Sequence, residues 1–140
     1  MTDYDVIVVG GGPAGSMAAE AAAKGGAKTL MLEKDRDIGY PVRCGEGVGA
    51  RGLKQFIEPD PKWIATTISK VRMRSPDNTK VDFGFPSAGY VLHRRLFDYE
   101  LANRAGQAGA DIQTRAYVDG LVMDNDTVCG VKYQYMGENR

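Results

Sequence analysis

The 140-residue chain suits a single domain, and with 43% hydrophobic residues it can bury a real core. Eighteen basic residues balance eighteen acidic ones, so the cationic surplus that a nucleic-acid backbone demands is missing, and nucleic acid is excluded as the main partner. Two separated cysteines, Cys44 and Cys129, and one histidine, His93, give neither a disulfide framework nor a zinc spacing, so no metal is expected.

Asp5–Val9 (DVIVV) reads as a strand buried on both faces, the parallel-sheet type. Pro13–Lys24 is rich in Ala and has no β-branched residue, which predicts a helix with Pro13 in its first turn. Gly25 and Gly26 stop that helix, and Ala27–Lys34 is a second buried strand. The first 34 residues thus spell a βαβ unit.

DRDIGYPVRCGEGVG (35–49) is loop by composition, and Ala50–Glu58 is a short helix ended by Pro59 and Pro61. From about Thr66 the period changes to two. Val71 and Met73 alternate with Lys70, Arg72 and Arg74, residues 76–78 form a turn, and Val81, Phe83 and Phe85 alternate again: a hairpin with one wet face. Trp63 is expected to anchor it by packing. An amphipathic helix over Arg94–Ala108 follows, with Phe97, Leu101, Ala105 and Ala108 as its stripe and Leu96 also assigned to the core. Ala110–Val118 is a third core strand. Residues 120–135 form a hairpin about Asn125 and Asp126, in which Cys129 is a small buried hydrophobe. His93 reads as a surface or helix-start residue.

Gly10-Gly11-Gly12-Pro13-Ala14-Gly15 fits G-x-G-x-x-G in the context it requires, a strand before and a helix after. Gly10 makes the tight turn, Gly12 lets a pyrophosphate approach the backbone, and Gly15 lets the helix pack closely. The helix N-terminus offers free N–H groups to the phosphates. Glu33 stands eighteen residues beyond Gly15, at the end of the next strand, where a carboxylate accepts the hydrogen bonds of a ribose diol. The plain alternative is a glycine turn and a solvated glutamate. The motif predicts an ADP-bearing dinucleotide, FAD or NAD, without choosing between them.

A plain NAD-binding domain would continue with alternating helices and strands; here a glycine-rich loop and a hairpin intervene. The order resembles the glutathione-reductase and p-hydroxybenzoate-hydroxylase type of flavoprotein, an α/β fold whose Rossmann-like FAD-binding domain is interrupted by strands of a substrate sheet. DVIVVGGGPAGS, LEKDRDIGYPVRCGEGV, GYVLHRRLFD and AGAD stand in the order seen in the geranylgeranyl reductase family, PVRCGEG being the most specific piece. The resemblance covers essentially the whole chain.

It implies an FAD-dependent reductase that saturates isoprenoid (geranylgeranyl) double bonds in archaeal-type membrane lipid biosynthesis. Residues 1–63 would carry the βαβ unit and flavin loop, 64–92 the inserted strands, and 93–140 the helix, third strand and hairpin. Members of the family are far longer, so the chain is expected to be an N-terminal part. Carried over, Gly10, Gly12, Ala14 and Gly15 lie at the pyrophosphate and Glu33 at the adenosine ribose. Arg43, Cys44, Gly45 and Gly47 line the flavin side, Arg94 contacts the flavin, and the Val118 backbone meets the adenine. Arg95 adjoins Arg94, and spacing alone does not choose between them. Cys44 is a candidate catalytic residue and Glu46 a candidate acid; the competing reading of Cys44 is a buried structural thiol. The external reductant would be NAD(P)H or ferredoxin. The substrate would be an isoprenoid lipid, met by a cytoplasmic protein at the membrane surface. Two rival readings are a flavin-dependent aromatic monooxygenase and a non-catalytic, truncated dinucleotide-binding module.

Overall fold

Ala and Pro at the start of residues 13–24 do what their propensities dictate. In a computed structural model, which describes residues 3–140, α1 spans Pro13–Lys24 with Gly25 at its C-cap and Gly26 turning the chain at φ +86°. It connects β1 (Val6–Val9) to β2 (Thr29–Leu32), and the two strands pair in parallel from Val6↔Thr29 to Val9↔Leu32.

The chain forms two compact units, residues up to Val42 with Phe97–Arg140, and Arg43–Leu96. The glycine-rich loop is divided between them, with residues up to Val42 in the first unit and Arg43 onward in the second.

The first unit has three layers. α1 and α3 (Arg94–Gln107, from Phe97 onward in this unit) cover one face of the parallel sheet β1-β2-β6, where β6 is Asp111–Gln113. Alternation along β2 sorts the layers. Met31 packs with Ala19, Ala102, Ala105 and Ala110 on the helix side. Leu30 and Leu32 pack with Ala116 on the other side, against a second sheet. That sheet is the antiparallel meander β7 (Ala116–Asp124), β8 (Thr127–Tyr135) and β9 (Glu138–Asn139), turning at Asn125, which takes φ +51°. All four β2 residues are buried, as the sequence reading requires of a parallel strand. β1 is not: it is the edge of its sheet among the described residues, and Val9 is 58% exposed.

Other expectations are corrected. The single strand over 110–118 is two strands in different sheets. β6 pairs in parallel with β2, then Arg115 takes φ +58° and the chain leaves for the meander. Leu96 is 53% exposed and Cys129 is exposed, so neither is core; Ala108 lies past the end of α3 and is half-buried. The remaining stripe, Phe97, Leu101 and Ala105, is buried as expected, joined by Ala102.

One buried charge ties the two helices. Glu20 on α1 accepts hydrogen bonds from Lys24 Nζ at 2.6 Å and from Arg104 Nη2 on α3 at 2.9 Å. Burial pushes the Glu20 carboxyl up, but the bonds from Lys24 and Arg104 outweigh it and hold the group below its ordinary value of 4.5.

The second unit is built on a three-stranded antiparallel sheet in the order β3-β5-β4, from Gly47–Gly49, Lys80–Leu92 and Ile64–Arg74, with a single-turn α2 at Ala50–Leu53. Trp63 is 1% exposed and its carbonyl accepts the His93 N–H at 2.8 Å, in keeping with an anchoring role. The hairpin register sets Val71 opposite Phe83 and Met73 opposite Val81 on one face, and Arg72 opposite Asp82 on the other. The apolar four are nevertheless 41–61% exposed, because among the described residues nothing in this unit stacks on that face.

Two outcomes follow for stability. A Cβ at Gly15 would overlap the Gly10 carbonyl oxygen, whereas one at Gly12 meets nothing within 4 Å. Gly15→Ala is expected to cost about 3 kcal/mol and Gly12→Ala under about 0.5 kcal/mol in urea denaturation; equal midpoints would refute the close turn–helix packing. The lowered Glu20 value means its contribution is complete above 4.5 and lost as pH falls through the folded value. Glu20→Gln should cost about 2 kcal/mol at neutral pH and flatten the acid limb of urea midpoint against pH. An unchanged acid limb would show that Glu20 does not carry it.

Candidate dinucleotide site

The turn after β1 is shaped by backbone demands that the sequence displays openly. Gly10 sits at φ +103° and donates its N–H to the Leu32 carbonyl at 2.7 Å, which bends the chain over the end of β2. Gly12 is the N-cap of α1 in an extended conformation, and the Ser16 N–H to Gly12 C=O bond at 2.9 Å opens the helix. The N–H groups of Ala14 and Gly15 precede that bond and have no intrahelical acceptor. No acidic side chain stands in the first turn to compete for them. Ala14 is exposed there, and the missing Cβ of Gly12 leaves open space above the helix end. A pyrophosphate fits this cradle: donors, partial positive charge and room coincide.

Ser16 is a supporting residue the sequence reading missed. It is fully buried, and its hydroxyl donates to the Gly11 carbonyl at 3.2 Å, holding the turn from below. The signal was a hydroxyl residue directly after the last glycine of the motif, at the start of an alanine-rich helix.

Glu33 ends the second strand where predicted. Its Oε2 accepts the Gly11 N–H at 2.7 Å and its Oε1 accepts the Asp35 N–H at 2.9 Å. Each carboxylate oxygen accepts more than one hydrogen bond, and the side chain is half-buried, so acceptor capacity for a diol remains. Gly10, Gly12, Ala14, Gly15 and Glu33 therefore converge on one turn. Val118 is not at the end of a parallel strand. It lies in β7, opposite Tyr133, with its side chain on the Leu30 and Leu32 cluster. A separate cleft of about 490 Å³ in the same unit, lined among others by Arg36, Ile38, Tyr99, Asn103 and Thr114, contains none of the predicted site residues.

In the second unit the two family-like motifs meet. β3 pairs with β5 from Gly47↔Val91 to Gly49↔Gly89, which brings the glycine loop beside the strand that ends at Leu92. Gly45, Gly47 and Gly49 are not in the left-handed region, and a Cβ on any of them would meet no atom closer than 4.0 Å. Neither turn geometry nor internal packing demands glycine at these three positions; open space over the loop is what they leave. Arg43, Cys44 and Gly45 are exposed. The buried structural thiol is thereby corrected, since Cys44 is at the surface with its Sγ accepting the Glu46 N–H at 3.3 Å. Glu46 is half-buried, takes φ +61°, and accepts the Arg94 N–H on Oε1 at 3.2 Å. Arg94 is half-buried while Arg95 and His93 are exposed, which separates the two adjacent arginines.

The sequence matches the family described as FAD dependent oxidoreductase over residues 5–139. A digeranylgeranylglycerophospholipid reductase of Methanocella arvoryzae is 48% identical over 98% of this chain, which covers 36% of that relative. The solved structure of a geranylgeranyl bacteriochlorophyll reductase-like protein from Thermoplasma acidophilum superposes with a TM-score of 0.89 at 42% identity, over 97% of this chain and 36% of that one. A myxobacterial chondrochloren halogenase, a variant of FAD-dependent halogenases, shares the fold, with a TM-score of 0.74 at 21% identity over 98% of this chain and 34% of its own. The chain spans about a third of the length of the relatives it matches. The family match takes in the phosphate turn, Glu33 and the Cys44 loop together, and the chain belongs to the FAD-dependent oxidoreductase family.

Proposed function

We propose that this chain is the FAD-binding part of a reductase that saturates the isoprenoid double bonds of geranylgeranyl lipids. The observation that carries the reading is the 48% identity, across nearly the whole chain, to a protein named as a digeranylgeranylglycerophospholipid reductase. FAD supplies hydride to an alkene when bound and reduced by an external donor, NAD(P)H or ferredoxin. The chain's own residues hold and orient. The N–H groups at the start of α1 bind the pyrophosphate and Glu33 takes the ribose diol. The flat, open backbone at Gly45 and Gly47 lies along the flavin side with Arg43, and Arg94 contacts the cofactor from the start of α3. The Val118 backbone serves the adenine.

An isolated alkene is unpolarised, so a proton must be placed as well as a hydride. Cys44 is the group proposed to hold it, being an exposed thiol in the loop assigned to the flavin side. The lipid substrate is proposed to reach a protein that works at the cytoplasmic membrane surface; no helix among the described residues is long and apolar enough to cross a bilayer.

FAD titration of the chain, followed by flavin fluorescence, tests the binding half. Glu33→Ala should weaken binding by about 10- to 100-fold, as expected for losing a charge-assisted hydrogen-bonded pair, and Gly12→Val should abolish it with the fold intact by circular dichroism. Unaltered affinity in both would end the assignment. For the chemistry, Cys44→Ser in the enzyme that reduces a geranylgeranyl lipid should lower saturation about 100-fold at normal FAD content, measured by mass spectrometry of the lipid. Full activity would remove Cys44 from proton supply.

A further inference from the structure

We propose that Glu46 is a positioning residue: it locks the Cys44 thiol and the first residue of α3 into one rigid element and is not itself the proton donor. The proposal rests on reading residues 40–49 as the cofactor-facing loop, but the lock can be tested without any cofactor.

Three bonds meet at this residue. Its N–H donates to Cys44 Sγ at 3.3 Å, its carbonyl accepts the Leu92 N–H at 2.9 Å, and its Oε1 accepts the Arg94 N–H at 3.2 Å. The bond from Leu92 extends the β3–β5 pairing by one step, since Gly47 already opposes Val91. The bond from Arg94 satisfies one of the donors left unpaired at the start of a helix, with a carboxylate at the favourable end of its dipole.

The conformation sharpens the point. Glu46 takes φ +61°, a region in which a residue with a side chain is strained and glycine is not. Glycines stand on both sides, at 45 and 47, and neither takes a left-handed conformation. The chain therefore places a side chain at the one position of this stretch where glycine would be easier. What glutamate offers there and glycine lacks is the acceptor for Arg94. That bond fixes the loop against the helix that begins with the proposed cofactor-contacting arginine, and the same residue's N–H fixes the thiol.

The test compares the parent chain with Glu46→Gln, Glu46→Ala and Glu46→Gly. Amide hydrogen exchange reads the Arg94 and Glu46 N–H groups. Alkylation by iodoacetamide, resolved by peptide mass, reads Cys44 against the exposed Cys129 of the other unit as an internal reference. Gln keeps an acceptor oxygen, so exchange and the Cys44-to-Cys129 ratio should stay within about twofold of the parent. Ala and Gly should each lose at least about tenfold protection at Arg94 and slow Cys44 alkylation at least about threefold, as Sγ loses its fixed donor. Glycine should fail even though it relieves the backbone strain. A parent-like Gly variant would overturn the lock, and so would a Gln variant as damaged as Ala, which would make the charge the essential property. FAD affinity measured on the same set should follow the same order. Absence of FAD binding by the parent chain would overturn the functional reading, while exchange and alkylation would still decide the lock.

Discussion

Glu33 is the residue on which the first unit turns. Its side chain accepts the N–H groups of Gly11 and Asp35, and its backbone donates to the Gln113 carbonyl and accepts the Ala116 N–H, both at 2.8 Å. One residue at the end of β2 thereby ties the phosphate turn to the third parallel strand and to the first strand of the meander. The carboxylate that sequence logic assigns to a ribose also holds the glycine turn. The ribose contact proposed for Glu33 and the geometry of the turn thus share a single side chain, and a change at Glu33 is felt at Gly11 as a change of shape as well as of charge.

The three layers follow from the same place. β2 is buried on every residue, so each of its side chains must find a layer, and strict alternation sends Met31 to the helices and Leu30 and Leu32 to the meander. Where α1 and α3 meet over Met31 the packed residues are alanines, Ala19, Ala102 and Ala105, and beside them Arg104 on α3 reaches Glu20 on α1.

The βαβ unit was legible because local and global signals agree there: β-branched residues in β1, an apolar run in β2, alanines in the helix, glycines at both of its ends. The split of residues 110–118 was not. QTRAYV contains no glycine or proline, and the left-handed residue is Arg115, held by bonds from its N–H to the Asp35 carbonyl and from the Met136 N–H to its own carbonyl. Those partners lie 80 and 21 positions away in sequence. Glu46 is the same case in the second unit: its left-handed backbone is set by partners at Leu92 and Arg94, and flanking glycines disguise it. Of the candidate site, the phosphate turn and the acid could be read from spacing. Ser16 and the capping role of Glu46 appear only when the contacts are seen. The exposure of Leu96, Cys129 and the hairpin's apolar face could not be read from pattern either, because alternation reports which residues share a face and not whether anything covers it.

The edge position of β1 has a consequence for how this chain behaves in concentrated solution. Four consecutive apolar residues, Val6 to Val9, run along the rim of the parallel sheet, and among the described residues only their inner side is paired. A rim of this kind presents a row of backbone donors and acceptors with no proline and no charge within it to blunt it, which is the arrangement that recruits strands from neighbouring molecules. The short hydrophobic strand that delivers the backbone to the glycine turn is therefore also the strand that leaves the sheet open to a further pairing, among the described residues.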